Sequence, residues 1–438
     1  MLNSEKLTLQ INKKNVKNLI SLIKLLETRN IPLVDVIFDS KNPPDFFKIR
    51  SVLYTLINRF EEKTSMIFFN LPYCILPDAE EHIINISSNH KTKSPQCKEC
   101  KFNRFCAGFP EDFSNNPEPV KDLPKEISIE ITSKCNLNCF FCFSPKHDYE
   151  FIDSEVVFSV INQAYKMGIR RIRFTGGEPF MDSNLYNYVK YAKSLKMEVW
   201  INSNGTFTDN KHYTDIIKHT DSVLIPLHHS TPKGEAKITG NPYSFKNKLK
   251  TVLKIKRINP RIFLRAGTVI NEKNRDSLFD IFLLIKKKLG LVHENYRLIH
   301  AEAEKKSLCS FFNHSLKFYE KFGTRSVITN AFPFCFLGEG FTARVFSLGG
   351  FMDDGRDRMV ISVNGDVKPV YYSDDVAGTW KNINAAWNST LMKKLRNLEY
   401  LPERCKVCEI YPVCKGGSRT MAKKVFGSYY AEDPLVVE

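Results

Sequence analysis

The chain has 438 residues, of which 42% are hydrophobic and 26% charged. This balance is typical of a folded protein of about three domains, and it excludes disordered, collagen-like and low-complexity classes. The formal net charge of +16 favours acidic partners, whether nucleic acid, an acidic peptide or an anionic small molecule. No apolar run approaches the about 18 residues of a membrane span, and the N-terminus is too polar for a secretory signal. We therefore expect a cytoplasmic chain without a membrane segment.

Residues 1–122 predict a mixed α/β region, with helices at Val16–Thr28 and Phe46–Phe60. A Pro- and Asn-rich stretch at 115–119 is typical of a domain boundary.

Residues 123–329 alternate between strand-like and helix-like segments. Repeated βαβ units of this kind predict a parallel sheet, here a partial (β/α)6 barrel of the TIM type, with functional residues at the carboxyl ends of its strands. The predicted strands are Ile127–Thr132, Arg170–Thr175, Glu198–Asn202, Ser222–Leu227, Ile262–Ile270 and Tyr296–His300. The predicted helices are Glu155–Lys166, Leu185–Leu195, Lys211–His219, Ser244–Ile258 and Asp276–Lys288.

Residues 330–438 predict a small, turn-rich domain that carries cysteines. The runs Val360–Val363 and Asp366–Val370 flank Asn364-Gly365, the dipeptide that favours a tight β-hairpin turn.

The twelve cysteines fall into groups with short spacings. Grouped cysteines in a reducing compartment indicate metal or cluster ligands rather than disulfides. An N-terminal group, a barrel group and a C-terminal group are, in that order, Cys74, Cys97, Cys100 and Cys106; Cys135, Cys139 and Cys142; and Cys335, Cys405, Cys408 and Cys414, with Cys309 apart.

The barrel group forms a CxxxCxxC motif directly after the first predicted barrel strand. Three thiolates on one loop can hold three irons of a four-iron, four-sulfur cube and leave the fourth iron open to another ligand. A zinc site with His147 as its fourth ligand is the alternative.

This motif, followed one βα unit later by Thr175-Gly176-Gly177-Glu178-Pro179, resembles the radical S-adenosylmethionine (SAM) superfamily over about residues 126–300. The resemblance implies an enzyme with a 4Fe–4S cluster and SAM as cofactors. It also implies that the turn Gly176, Gly177, Glu178 and Pro179 contacts the methionine amino group, with Glu178 meeting the ammonium.

The same resemblance offers further cofactor contacts at strand ends. Ser203, in the turn after the third strand, and Arg265, on the fifth, are candidates, the arginine facing the methionine carboxylate. His228 and His229 follow the fourth strand, where they either touch substrate or are ordinary polar residues.

The C-terminal cysteines resemble, over about residues 335–434, the SPASM domain that peptide-modifying radical SAM enzymes use for auxiliary clusters. Val370 and Ser418 stand where that family has cysteines, so we expect one auxiliary cluster here. Its ligands would be Cys335, Cys405, Cys408 and Cys414, with Cys309 as the rival to Cys335 and a zinc site as the alternative.

The N-terminal group repeats the spacing of this C-terminal group in Cys97, Cys100 and Cys106, with Cys74 as a fourth thiolate. It predicts either a second auxiliary cluster or a structural zinc site, between which spacing does not decide.

The resemblance therefore implies reductive cleavage of SAM to a deoxyadenosyl radical that takes hydrogen from a substrate. The SPASM-like tail favours a peptide or protein substrate, in post-translational modification or peptide maturation, with an external electron donor such as flavodoxin or ferredoxin. Modification of tRNA or another anionic substrate is the alternative, since the positive charge suits phosphates. A non-catalytic iron–sulfur or zinc scaffold is disfavoured because it has no use for an open iron.

Overall fold

The computed structural model describes residues 6–85, 91–110, 118–143, 151–298, 304–338, 341–350 and 353–437. Within these ranges the strands form a four-stranded parallel sheet, a ten-stranded sheet and a short antiparallel pair. The α/β class predicted from the sequence is confirmed.

The N-terminal sheet contains strands β1 to β4 in chain order, all parallel. These strands are Lys6–Ile11, Leu33–Phe38, Ser65–Phe69 and Ile83–Ile84. Helices α1 (Asn18–Thr28) and α2 (Phe46–Phe60) connect the first three strands. Both helices match the prediction, α2 to the residue, because their apolar side chains recur every three to four positions and face the sheet.

The N-terminal cysteines follow this sheet. Cys74 lies in the short helical turn Tyr73–Ile75, and Cys97 lies in a second such turn, Pro95–Glu99. Strands β5 (Lys91–Thr92) and β6 (Phe109–Pro110) pair antiparallel around this segment. Most of the predicted boundary at 115–119 lies outside the described residues.

The barrel consists of parallel strands that neighbour one another in chain order, β7 to β13. They are Glu126–Thr132, Arg171–Gly176, Glu198–Asn202, Ser222–Pro226, Phe263–Val269, Val292–Tyr296 and Val327–Ile328. The helices between them are α3 (Ser154–Met167), α4 (Leu185–Ser194), α5 (Tyr213–Lys218), α6 (Pro232–Thr239), α7 (Ser244–Ile258), α8 (Leu278–Phe282, continued by a wider turn at Leu283–Lys288) and α9 (Glu304–Phe322). The partial TIM-type barrel is thus confirmed.

One predicted strand is wrong in position. The sixth strand runs over Val292–Tyr296, not Tyr296–His300, whose last two residues lie outside the described part of the chain. Its His293, Glu294 and Asn295 are buried or half-buried polar residues with partners inside the fold, so the strand lacks the apolar pattern by which strands are recognised.

The C-terminal hairpin joins the barrel sheet. Strand β14 (Arg358–Ile361) pairs parallel with β7, β15 (Asp366–Lys368) pairs antiparallel with β14, and β16 (Gly378–Thr379) completes the edge. Helices α10 to α15 complete the region: Phe341–Phe346, Ile383–Trp387, Thr390–Arg396, Glu403–Lys406, Tyr411–Cys414 and Arg419–Phe426. Residues 330–438 therefore share a sheet and a continuous apolar core with the barrel.

None of the helices in the described ranges combines the length and the apolar character needed to cross a membrane.

Candidate active site at the mouth of the barrel

The three barrel cysteines lie on the loop that leaves the carboxyl end of β7. The end of helix α6 holds this loop, since Asn138 N–H donates to the Thr239 carbonyl at 2.9 Å and Phe140 N–H to the Ile238 carbonyl at 3.3 Å. Burial, partly offset by nearby Lys248, raises the pKa of the Cys139 thiol to about 11, and the Cys142 and Cys135 thiols add to the shift. The three thiols therefore lie near enough to influence one another, and their joint ligation of a cluster stays a prediction. His147 lies outside the described residues.

The glycine turn packs on the root of the cysteine loop. A Cβ on Gly176 would lie 2.2 Å from the Thr132 carbonyl oxygen, and one on Gly177 would lie 2.1 Å from that of Lys134. Gly177 N–H donates to Thr132 at 2.6 Å and Glu178 N–H to Lys134 at 2.7 Å. Only glycine permits so close an approach, because no side chain fits between the two backbones.

Glu178 is held by hydrogen bonds at the base of the site. Its side chain is fully buried, and its carboxylate accepts hydrogen bonds from Phe180 N–H at 3.1 Å, Ser203 Oγ at 2.9 Å and Asn204 N–H at 2.6 Å. Burial raises its pKa to about 7 although these bonds lower it. The carboxylate therefore fixes the turn after β9, and Ser203 takes part through the same bond; the contact of Glu178 with the methionine ammonium stays a prediction. Pro179 is buried and begins the short turn Pro179–Met181.

Asn204 connects this turn to the cysteine loop. Its Nδ2 donates to Cys135 Sγ at 3.5 Å and to Asn136 Oδ1 at 2.7 Å, while its Oδ1 accepts from Thr206 N–H at 2.8 Å. Hydrogen bonds to ligand sulfurs tune a cluster and orient its ligands. The Asn-Gly turn at the end of a barrel strand is the sequence pattern that indicates a functional position for this residue.

A buried ion pair supports the other side of the loop. Lys248 Nζ lies 2.5 Å from Glu235 Oε1, and neither side chain has exposed surface. Glu235 Oε2 also accepts the N–H groups of His228 and His229, both at 2.8 Å. No sequence pattern indicates this pair, because its members lie on different helices with unrelated spacing.

The two histidines belong to this framework. His228 Nδ1 accepts Val269 N–H at 3.3 Å, its ring packs against Phe141 with centroids 4.9 Å apart, and burial lowers its pKa to about 4. His229 Nδ1 accepts from Thr231 N–H at 3.1 Å. His228 therefore occupies the position of a neutral core histidine.

Arg265 lies low in the barrel, at the third residue of β11. Its guanidinium pairs with Glu294 at 2.5 Å, donates to Ser222 Oγ at 3.0 Å and stacks on Trp200 with the carbon 4.2 Å from the ring centroid. Arg265 therefore has a carboxylate partner inside the fold, and its contact with the methionine carboxylate stays a prediction.

The C-terminal cysteines come together around short turns. Negative charge on Cys335 adds to burial in raising the pKa of Cys405 and of Cys414, the latter to about 12. Cys309 instead lies exposed on α9. Cys335 rather than Cys309 therefore lies near the other thiols of this group.

The positions where the SPASM pattern has further cysteines are filled by packing and capping. Val370 packs with Tyr372 and Met421, and Ser418 Oγ caps helix α15 by accepting Met421 N–H at 3.2 Å. Both residues therefore support the fold of the C-terminal region, Val370 by packing and Ser418 by capping a helix.

The N-terminal cysteines line one cavity together, with Tyr73, Gly108 and Phe109 among its other residues. Burial, with added contributions from the other three thiols, raises the pKa of Cys74 to about 12. Within the described ranges, no three His, Cys, Asp or Glu side chains are arranged to hold a single metal ion.

Three comparisons with known proteins bear on this geometry. The chain is 28% identical over 123 residues to a probable GTP 3',8-cyclase of Methanosarcina acetivorans, which covers 26% of this chain and 36% of that protein. It is 23% identical over 356 residues to an AdoMet-dependent heme synthase of Oleidesulfovibrio alaskensis, covering 73% and 90%. The crystal structure of Streptococcus suis SuiB bound to precursor peptide SuiA covers 72% of this chain and 75% of that chain, with a TM-score of 0.57 and 15% identity.

The chain spans 36% of the length of one GTP 3',8-cyclase and 53% of another. The likeness to SuiB shows the fold alone.

Fold and site define a partial barrel whose mouth holds three thiols against a glycine turn. Residues 129–285 match the family model described as Radical SAM superfamily. This segment is therefore a radical SAM domain, as the motifs predict. The radical SAM family uses a 4Fe–4S cluster and SAM as cofactors, and the three grouped thiols, the glycine turn and the Asn204 donor at Cys135 fit that cluster.

Proposed function

We propose that this chain is a radical SAM enzyme that modifies a peptide or protein substrate. The observation that carries the proposal is the cysteine loop laid across Gly176 and Gly177, with Asn204 donating to Cys135. Cys135, Cys139 and Cys142 would hold the cluster, and the Gly176–Pro179 turn and Ser203 would border the SAM site. When bound, these cofactors supply a deoxyadenosyl radical that abstracts hydrogen from the substrate.

The inner face of β7 provides the space for substrate. Ile127, Ile129 and Ile131 belong to the core, so Ser128 and Glu130 face the barrel interior. Tyr371 donates to Ser128 Oγ at 2.8 Å and packs on Phe143 beside the cysteine loop, with ring centroids 5.9 Å apart. The C-terminal region therefore contributes one wall of this space.

Glu130 is a titratable group on that face of β7. Burial raises its pKa to about 7, with Lys368 acting in the opposite direction. A carboxyl group poised near neutral pH can bind a substrate amide or accept a proton from it.

Aromatic rings also surround the loop. Phe140, Phe143 and Phe151 lie partly exposed at the mouth, and Lys273 Nζ covers the Phe140 ring at 3.8 Å from its centroid. These rings provide apolar cover for a reactive intermediate, which must be kept from solvent.

The C-terminal group, Cys335, Cys405, Cys408 and Cys414, would hold one auxiliary 4Fe–4S cluster, since four thiolates saturate a cube. An external donor such as ferredoxin or flavodoxin would supply electrons, and the protein would act in the cytoplasm, where grouped thiols stay reduced. The peptide substrate is supported by the fold shared with SuiB, whose structure contains precursor peptide SuiA.

A second candidate substrate is an iron tetrapyrrole. The AdoMet-dependent heme synthase aligns over 90% of its own length, which is more than either GTP 3',8-cyclase does. Such a substrate carries carboxylates that suit the positive charge of the chain.

The test uses anaerobically reconstituted full-length protein with SAM and a strong reductant. We expect deoxyadenosine from wild-type protein and from Cys309→Ala, and none from the variant with Ala at all three barrel cysteines. Deoxyadenosine from that triple variant at the wild-type rate contradicts the assignment of the cluster.

Substrate class is tested by mass spectrometry in parallel reactions with a peptide encoded beside the gene, an iron tetrapyrrole precursor of heme, and tRNA. We expect a mass change in the peptide alone. Modification of the tetrapyrrole or the tRNA, with an unchanged peptide, overturns the peptide assignment.

A further inference from the structure

The last cysteines of the N-terminal and C-terminal groups have the same hydrogen-bond donors. Cys106 Sγ accepts the N–H of Gly108 at 3.4 Å and that of Tyr73, the residue before Cys74. Cys414 Sγ accepts the N–H of Phe334, the residue before Cys335, at 3.4 Å and that of Gly416. In both groups, therefore, one sulfur is held by the residue before the first cysteine and by the glycine two residues after the last.

The sequence around the cysteines matches in the same way. Leu71-Pro72-Tyr73-Cys74 corresponds to Phe332-Pro333-Phe334-Cys335, and in each case the proline precedes a short helical turn that contains the cysteine. Gly108 has φ of 88° and Gly416 has φ of 73°, a left-handed conformation that glycine adopts without strain.

The match extends upstream to the turn that follows the first strand of each region. Residues 11–15 read INKKN and residues 270–274 read INEKN. Asn12 N–H donates to Asn15 Oδ1 at 2.7 Å, and Asn271 N–H donates to Asn274 Oδ1 at 2.9 Å.

Two further bonds of this turn are duplicated. The N–H of Lys14 donates to the Asn12 side chain, and that of Lys273 to the Asn271 side chain, both at 2.9 Å. The Asn15 amide donates to the Gln10 carbonyl at 3.0 Å, as the Asn274 amide does to that of Val269 at 2.8 Å.

Strand pairing follows the same plan. In the N-terminal sheet Lys6 pairs with Leu33, and in the barrel Arg265 pairs with Val292, so the partners lie 27 residues apart in both. The order β1-β2-β3 corresponds to β11-β12-β13, and a helix separates each strand from the next. After β3 and after β13 the chain enters the proline–cysteine turn.

We infer that the N-terminal region is a second copy of the last βα units of the barrel together with their cysteine module, and that it binds a second auxiliary 4Fe–4S cluster. The inference rests on the proposed function in one respect, namely that the C-terminal group holds a cluster. The N-terminal group has four thiolates in one cavity, and its Cys106 has the same two backbone donors as Cys414 in the C-terminal group. Both groups therefore offer the same ligand set to the same cofactor.

The two copies adjoin in the folded chain. A shared pocket is lined by Tyr73, Lys101 and Phe105 from the N-terminal copy and by Pro412 and Lys415 from the C-terminal one. The N-terminal copy thus provides a second cluster site close to the first, in a protein whose SPASM-like segment has lost its other cysteine positions.

The test measures iron, zinc and acid-labile sulfide in reconstituted full-length protein. Wild-type protein is expected to hold about 12 irons and no stoichiometric zinc, since three four-iron cubes are present. This measurement requires no variant and is independent of folding effects. About eight irons per chain, with or without one zinc, overturns the inference when the double variants below trace the missing cube to the N-terminal group.

Matched double variants locate the clusters. Cys97→Ser with Cys100→Ser is expected to lower iron by about one third, as Cys405→Ser with Cys408→Ser does, whereas Cys309→Ser keeps all of it. Unchanged iron in the N-terminal variant overturns the inference even when the C-terminal variant loses its share. Two other outcomes refute the proposed function instead: zinc at the C-terminal group, and SAM cleavage that survives loss of the barrel cysteines. The two kinds of failure are distinguishable because each cysteine group is measured in its own variant.

Discussion

Replacing Lys248 by Met tests the buried support of the cysteine loop. The substitution keeps an unbranched side chain, one atom shorter, but leaves the Glu235 carboxylate without its ion-pair partner in a site with no exposed surface. Breaking a fully buried pair by removing one partner costs about 3–5 kcal/mol, because the remaining charge is not solvated. For a domain of barrel size, each kcal/mol lowers Tm by about 2–4 °C, so we expect a fall of roughly 6–20 °C.

The assay is thermal unfolding at pH 7 with two comparison proteins. In Lys218→Met the lost partner is Asp215, in an exposed pair with 3.7 Å between the charged atoms, so stability should change by at most about 1 kcal/mol. In Lys248→Met combined with Glu235→Gln no unpaired charge remains, so much of the lost stability should return. A Tm for Lys248→Met equal to that of Lys218→Met refutes the reasoning.

Three further predictions concern the site. Asn204→Ala removes the donor to Cys135 and should lower SAM cleavage about 10-fold while iron content stays unchanged; lost iron would show a ligand-holding role instead. Glu130→Gln should lower peptide modification but leave uncoupled SAM cleavage unaffected; equal loss of both contradicts a substrate-side role. Burial depresses the pKa of His228 to about 4, so the folded protein holds this histidine neutral. The contribution of His228 to the free energy of unfolding is therefore fully present above about pH 6.5, and it declines as the pH falls toward 4 by up to about 1.4 kcal/mol per pH unit. In His228→Asn the free energy of unfolding, measured with urea, should vary less with pH between these two values. An unchanged pH dependence would contradict the prediction.

Sequence reasoning was most successful where local pattern and function coincide. The spacing of Cys135, Cys139 and Cys142 and the Gly176-Gly177 pair identified the barrel family, because chemistry fixes both the residue types and their order. The helix at Phe46–Phe60 was equally accessible, since its apolar periodicity depends on the sequence alone.

What the sequence did not show depends on residues that meet only in three dimensions. Arg265 was assigned to the cofactor because arginine suits a carboxylate, and the sequence did not show that Glu294, on the neighbouring strand, pairs with it inside the fold. The spacing of Cys97, Cys100 and Cys106 indicated a repeat of the C-terminal group, whereas the duplication of strands and turns became evident only from matching hydrogen bonds and strand register.

The pairing of β14 with β7 has a consequence for how this protein is made. Arg358–Ile361 is synthesised long after Glu126–Ile129, yet it supplies the neighbour of that first barrel strand. During translation the β7 edge is therefore open while the rest of the barrel emerges, and an open parallel edge is a template for association with other chains. A fragment that ends after the barrel keeps this edge permanently exposed, so removal of the C-terminal region yields an aggregating barrel rather than an isolated catalytic domain.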